Sequence, residues 1–471
     1  MDAKIFLGST ATTAENFTER ISPFSGEVVS RAPICSAEMA KQALKIAQNA
    51  TVAAKASTLA QRCNWLLDVA AKLREQKEDI AKTITDEVGK PIAFARVEVE
   101  RCIETVTLSA ETMRTMHGET INTDAMNSGK KTTAFFSRVP AGVVVAITPF
   151  NFPLNLVAHK LAPALVAGNA VVLKPTPEAP LTAYKFAKLF IESEYAIPDA
   201  LSVVYGDAEV GSALITSDIP RVISFTGSVP VGNIITKNAG IKKVSLELGG
   251  NAATFIDTSA DLDLAAERCA LGAFVNSGQV CISLQRIYVH KDIYDNFAQK
   301  MAEATRKLVV GSPYADDTFM GPLIDDEAAV RAMGWVESAI EEGAVPLLPP
   351  HREGRMFYPC VMANVRDDMA IVCEEVFAPI VSLVKVDSFD DAFPRMNNSP
   401  YGLQFSIFTN DLKLTQRAIY ELDAGGIVIN DMPTLRFDIQ PYGGVKLSGV
   451  GREGPKFAIE EMTEIKSVII C

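Results

Sequence analysis

Apolar residues recur at i, i+3 and i+4 through 37–56 and 58–88, the spacing of helices with one face on a core. Gly89 and Pro91 punctuate this stretch, and a further helix is predicted over 92–116. From residue 141 the period changes. Short apolar runs at 141–147, 170–174, 201–206, 221–227 and 243–248 alternate with helical stretches at 154–167, 180–194, 209–217 and 230–239. Strands separated by single helices form mostly parallel, doubly wound sheets. A second alternating series starts at 253–257 and continues to about 435, which predicts a second α/β domain. Two β-rich segments, 131–139 and 462–471, belong to neither series. They are expected to pair as a protruding flap whose exposed edge suits an oligomer contact.

The chain has 471 residues, enough for about three domains and for a large core without disulfide or metal staples. Its 45 basic and 57 acidic side chains give a net charge of −12, with no basic stripe of the kind nucleic acids require. The longest apolar region, near 143–157, is broken by Pro149, Asn151 and Pro153, so no membrane span is expected. The first ten residues lack a signal-peptide pattern. Eight dispersed cysteines without CxxC pairs, and four histidines without zinc spacing, point to a cytoplasmic protein with reduced thiols and no metal.

Several loop residues carry candidate chemistry. Cys281, in AsnSerGlyGlnValCysIle, stands between a helix and a strand, where a nucleophile can face a cleft. A free thiol is only about 3% ionised at pH 7, so its surroundings must activate it; otherwise it is a small buried hydrophobe. Glu247 ends an apolar strand, and a carboxylate there is either paired or a base with a raised pKa. Asn151, in a Pro-bounded turn, is a turn residue or an oxyanion donor. PheThrGlySer at 225–228 ends a strand and opens a helix, an anion-binding arrangement without GxGxxG. Lys174, also at a strand end, can reach a ribose or phosphate.

Taken together, Asn151, Lys174, PheThrGlySer at 225–228, Glu247 in LeuGluLeuGlyGly, Cys281 in GlyGlnValCys and Glu375 in GluGluValPheAlaProIle resemble the aldehyde dehydrogenase superfamily. The run ProTyrGlyGlyValLysLeuSerGlyValGlyArgGluGly at 441–454 is similar to that family's C-terminal signature. The resemblance covers the whole chain. It implies a Rossmann-like cofactor domain (1–121 and 140–250), a catalytic domain (251–440), an oligomerisation flap (122–139 and 455–471) and a bridging segment (441–454).

It also implies roles. Cys281 would attack the aldehyde, Asn151 and the Cys281 amide would hold the oxyanion, and Glu247 would activate the water that releases the acid; Lys160 joins this catalytic set. Lys174, with Thr176 and Glu178, would meet the adenosine ribose, and Phe225, Thr226, Gly227 and Ser228 the pyrophosphate. Glu375 and Phe377 would meet the nicotinamide ribose. Thr148, Pro149, Phe150, Gly206, Gly211, Leu248 and Gly249 complete the cofactor surface. Pro177 stands where NAD-preferring relatives often carry a Glu, so the cofactor is NAD or NADP, leaning to NAD.

Arg101, His159, Val280, Ile282 and Arg436 are the substrate candidates. They suggest a small polar aldehyde, hydroxylated like lactaldehyde or glycolaldehyde, or an acidic semialdehyde. A phosphonate, sulfonate or phosphate aldehyde is the alternative, weakened by Val280, where some such enzymes carry Arg. A coenzyme A-acylating enzyme is disfavoured by the presence of Glu247. A thiol esterase, or an inactive scaffold, would reduce no nicotinamide. A homodimer or homotetramer is expected.

Overall fold

The computed structural model describes residues 2–471. Its first sheet has eight strands, ordered Thr10–Thr12, Ile5–Leu7, Leu201–Val203, Ala170–Lys174, Val143–Ile147, Val222–Thr226, Lys243–Glu247 and Gly449–Val450. The strands from Leu201–Val203 to Lys243–Glu247 are parallel. They read as unbroken apolar runs because helices cover both faces, which leaves no polar side to alternate with. The second sheet runs Val345–Pro346, Cys360–Ala363, Ile380–Val386, Leu284–His290, Ala252–Ile256, Gln404–Phe408 and Gly426–Ile429, all parallel except the first. The expectation of two doubly wound parallel sheets is met.

The two orphan segments do pair. Thr463–Ile470 lies antiparallel to Thr133–Pro140 in register from Thr463 opposite Pro140 to Ile470 opposite Thr133. Glu119–Thr120 adds a third strand and leaves Thr463–Ile470 as the outer edge, with Ile465, Ile469 and Ile470 exposed. The stretch 58–88 is two helices rather than one, Leu59–Glu75 and Lys77–Val88, broken at Gln76, where φ −102° and ψ 14° leave the helical range. Neither Gly nor Pro marks that break. Four short N-terminal strands between Ile5 and Pro33 also escaped the periodicity reading, being too short to show an alternation.

The topology fixes where a ligand can sit. In the first sheet the strand order turns back between Val143–Ile147 and Val222–Thr226, so the loops leaving their carboxyl ends open a crevice. Asn151 and Ser228 stand on those two loops. The second sheet faces the same crevice with its amino ends: Cys281 precedes Leu284–His290, and Glu375 precedes Ile380–Val386. Residues 247–252 cross directly from one sheet to the other.

Candidate active site

The crevice is a cleft of about 860 Å³. Of the sequence-predicted residues, Arg101, Pro149, Phe150, Asn151, Thr226, Gly227, Ser228, Glu247, Leu248, Gly249, Val280, Cys281, Ile282, Glu375, Phe377 and Arg436 all line it. Thr148, His159, Lys160, Lys174, Thr176, Glu178, Gly206, Gly211 and Phe225 do not. The last set divides into an adenosine-side group and a group behind the cleft wall.

Cys281 follows a tight turn. Asn276 and Ser277 adopt left-handed φ of 51° and 56°, and Gly278 continues at 73°. The turn is held by buried hydrogen bonds, including Ser277 Oγ to the Gly321 carbonyl at 2.8 Å. Asn151 Nδ2 donates to the Gln279 carbonyl at 3.0 Å, which ties the amide to the loop carrying the nucleophile. The Cys281 thiol lies 3.1 Å from the Tyr442 hydroxyl. Burial pushes the thiol up to about 12, and Glu375 and Glu247 add to that, while the Tyr442 hydrogen bond and the Arg436 charge work against it. Cys281 therefore rests as a thiol.

Glu247 is buried, and neither carboxylate oxygen has a hydrogen-bond partner. Burial, and then the neighbouring Glu453 charge, raise its pKa well above the ordinary carboxylate range. Glu375 rises to about 7 for the same first reason, although the Gly250 amide donates to it at 3.0 Å. The glycines after Glu247 are needed for closeness: a Cβ at Gly249 would collide with the Glu375 carboxylate, and one at Gly250 with the Cys281 carbonyl.

Behind the cleft wall runs a chain of buried charges. Arg101 grips Asp438 with two hydrogen bonds of 2.7 and 2.9 Å. His159 Nε2 lies 3.0 Å from Asp438 and 3.1 Å from Arg436. These neighbours make opposite demands on one nitrogen, since Asp438 needs a donor and Arg436 an acceptor. Burial, and then the Arg436 charge, lower the His159 pKa, which favours the neutral ring accepting from Arg436. Arg436 also donates to Glu453 at 3.1 Å and stacks 3.7 Å from the Tyr442 ring centroid. Lys160 bridges Ser224 at 3.1 Å and Glu453 at 3.2 Å. Against the cost of burial, the Lys160 and Arg436 cations hold Glu453 down to about 2. His159 thus supports Arg436 from outside the cleft.

The cofactor surface fits a dinucleotide on the structure's own terms. Thr148 and Thr226 carry buried hydroxyl oxygens without partners, and the helix Val229–Asn238 begins at Ser228 with no side chain capping its amides. Such a terminus favours a phosphate. The edge-to-face rings of Phe150 and Phe377, 6.0 Å apart, stand with Glu375 further along the cleft. Lys174 sits at the end of its strand with its side chain beside Gly211, and the Thr176 hydroxyl donates to Glu178.

Sequence reasoning assigned no role to Tyr442, Glu453, Asp438, Asn155 or Arg331, all of which stand in the cleft wall or in its charge chain. Tyr442 and Glu453 lay inside the 441–454 run, so a signal existed. Asp438 gave none, because the partners that hydrogen-bond it, Arg101, Asn155 and His159, are hundreds of positions away.

A thiol, an amide and an unpaired buried carboxylate meet around one cleft between two parallel sheets, the groups that covalent catalysis through a thiol uses. Residues 10–468 match the aldehyde dehydrogenase family model, and the chain belongs to that family. It is 45% identical over 412 residues to a 3-sulfolactaldehyde dehydrogenase of Priestia megaterium, covering 87% of this chain and 86% of the relative. A lactaldehyde dehydrogenase of Methanocaldococcus jannaschii is 40% identical over 455 residues, 96% of each chain. The NADP-dependent glyceraldehyde-3-phosphate dehydrogenase of Bacillus halodurans, solved with NADP, superposes with a TM-score of 0.98 at 32% identity, covering 100% of this chain and 99% of the other.

Proposed function

We propose that this aldehyde dehydrogenase oxidises a small polar aldehyde, best a 2-hydroxyaldehyde, to its carboxylic acid with NAD or NADP. The observation that carries the reading is the set of polar groups, from Arg101, Asn155, Arg436 and Tyr442, that the cleft around Cys281 carries among apolar side chains such as Phe152, Leu156, Val280 and Ile282. Lactaldehyde and 3-sulfolactaldehyde, named for the two relatives, are both 2-hydroxyaldehydes.

The residues divide the work as follows. The Cys281 thiol gives its proton to the ionised Glu247 carboxylate, which returns it to solvent before the second step, and attacks the carbonyl carbon. The developing oxyanion is met by the Asn151 amide and the Cys281 backbone N–H, each donor contributing on the order of 10²–10³ in rate. Ser228, Glu375 and Phe377 would hold the nicotinamide cofactor, which would supply the hydride acceptor there. Glu247 then takes a proton from the water that attacks the thioester, and its raised pKa makes it a stronger base than an exposed carboxylate. Lys160 and Glu453 set the potential around it. On the adenosine side, Pro177 places no carboxylate three residues after Lys174, and Glu178 turns toward Thr176, which leaves room for either cofactor.

A second reading, an aldehyde carrying one further anionic group, is favoured by the charges. Arg101 and Arg436 line the cleft, and each shares its guanidinium with one buried carboxylate, Asp438 or Glu453. The exposed outer edge of Thr463–Ile470 supports assembly as a dimer or tetramer, and the eight free cysteines suit the cytoplasm. No helix among the described residues is long and apolar enough to cross a membrane.

The test is nicotinamide reduction with lactaldehyde, glycolaldehyde, succinic semialdehyde, a sulfonate aldehyde and hexanal, each with both cofactors and with Cys281→Ala as control. Highest kcat/KM is expected for a hydroxyaldehyde, with or without a sulfonate. Hexanal as the best substrate would overturn the reading, and so would turnover by Cys281→Ala.

A further inference from the structure

The geometry points to Tyr442 as the residue that reads the substrate's 2-hydroxyl, selecting 2-hydroxyaldehydes over their unsubstituted counterparts. This deepens the reading above and rests on it.

The Tyr442 hydroxyl is 3.1 Å from the Cys281 sulfur, inside a small cluster of Val280, Ile282, Leu403 and the Tyr442 ring itself. Once the aldehyde carbon is bonded to that sulfur, the oxygen on the next carbon is three bonds from it. A hydroxyl that reaches the sulfur in the resting enzyme therefore also reaches a 2-hydroxyl in the covalent intermediate. A 2-methylene in the same place offers it nothing.

The ring is fixed for this task. Arg436 lies 3.7 Å from its centroid, and Arg436 is itself anchored by Glu453 and His159. The Tyr442 amide and carbonyl pair with Glu453 in a short antiparallel bridge, so the backbone cannot rotate the ring away. The phenol is buried and stays protonated, hence remains both donor and acceptor. Among the described residues the hydroxyl's hydrogen-bond partner is the Cys281 thiol, and the side chains packed around it, Val280, Ile282 and Leu403, are apolar. In the covalent adduct the Cys281 sulfur is a thioether sulfur, which has lost its S–H donor and is only a weak acceptor. A buried hydroxyl left unpaired costs roughly 1–3 kcal/mol, and this penalty falls on substrates that lack the 2-oxygen.

The proposal separates two roles Tyr442 can have. Hydrogen bonding to the thiol affects every aldehyde equally; reading the 2-hydroxyl affects only some. The experiment measures kcat/KM for lactaldehyde against propanal and glycolaldehyde against acetaldehyde, in the wild type and in Tyr442→Phe, which keeps the ring under Arg436. The hydroxy-to-unsubstituted ratio is the readout, because any change in thiol reactivity divides out of it. A fall in that ratio of about 10- to 100-fold in Tyr442→Phe is expected. A ratio that survives the substitution overturns the role of Tyr442 while leaving the hydroxyaldehyde reading standing. A wild-type enzyme that turns over propanal as well as lactaldehyde defeats both. Alkylation by iodoacetamide across pH 6–10 supplies the second measurement: a parallel loss of alkylation and of both substrates' rates, at constant ratio, reduces Tyr442 to a partner of the thiol and overturns the proposal.

Discussion

Glu87 and Glu247 are both buried glutamates beside the strands of one sheet, yet the chain treats them oppositely. Glu87 accepts hydrogen bonds from the Ser30 hydroxyl, the Leu181 amide, and the amide and hydroxyl of Thr182, so it caps the helix Pro180–Ile191. Glu98 does the same for the helix Asn155–Val166 through the amides of Leu154 and Asn155, with Lys90 paired to its other oxygen. Glu247 accepts none. Burial raises the pKa of Glu87 and of Glu247, but four bonds pull against it at Glu87 and nothing equivalent does at Glu247. Burial alone does not mark a functional carboxylate; unmet hydrogen-bonding capacity does.

Two substitutions, read by three measurements, sharpen that contrast. The largest expected effect is on turnover in Glu247→Gln, a loss of about 10²–10⁴ in steady-state kcat with the first burst of reduced nicotinamide retained, measured by stopped flow. The wild-type rate should rise as pH climbs toward the raised pKa of Glu247, and the variant should lose that limb. An unchanged steady-state rate would remove Glu247 as the base.

Next comes stability in Glu98→Ala, which strands the Lys90 ammonium in the interior against the Phe152 ring, 3.8 Å from its centroid. Breaking a buried pair from one side costs about 3–5 kcal/mol, read by denaturant unfolding. A loss below 1 kcal/mol would show that Lys90 escapes to water.

The smallest effect is a gain. A carboxyl whose folded pKa exceeds its unfolded value resists ionisation in the native state, so its cost appears above about pH 4.3 and grows until pH passes the folded pKa. Glu247→Gln should therefore raise Tm by about 1–3 °C at pH 8 and by less at pH 5. The same gain at both would mean that charge is not its source.

Much of this site could be read in the sequence because its residues sit in short runs whose local order matters. Cys281 needs the turn before it, Glu247 the glycines after it, and Ser228 the strand end ahead of it. His159 shows the limit. It stood on the right helix, but its neighbours Asp438 and Arg436 are 279 and 277 positions away, and only the folded chain shows that they draw it behind the wall. Arg101 was legible as a cation on a helix face; that Asp438 already engages it was not. The break at Gln76 was invisible for another reason: tertiary packing redirects the chain there without a residue that disfavours helix.

The C-terminal signature touches both halves of the fold. Val445–Lys446 pairs with Tyr401–Gly402 in a two-stranded ribbon just ahead of Gln404–Phe408 of the second sheet, and Gly449–Val450 pairs with Leu246 and Glu247 of the first. Like a stitch through two layers of cloth, this short hairpin sets how far the layers can slide, so the distance between the nucleophile and the base is a property of the seam rather than of either layer. Cutting the chain at Lys446 would spare every side chain assigned to chemistry and still let that distance drift.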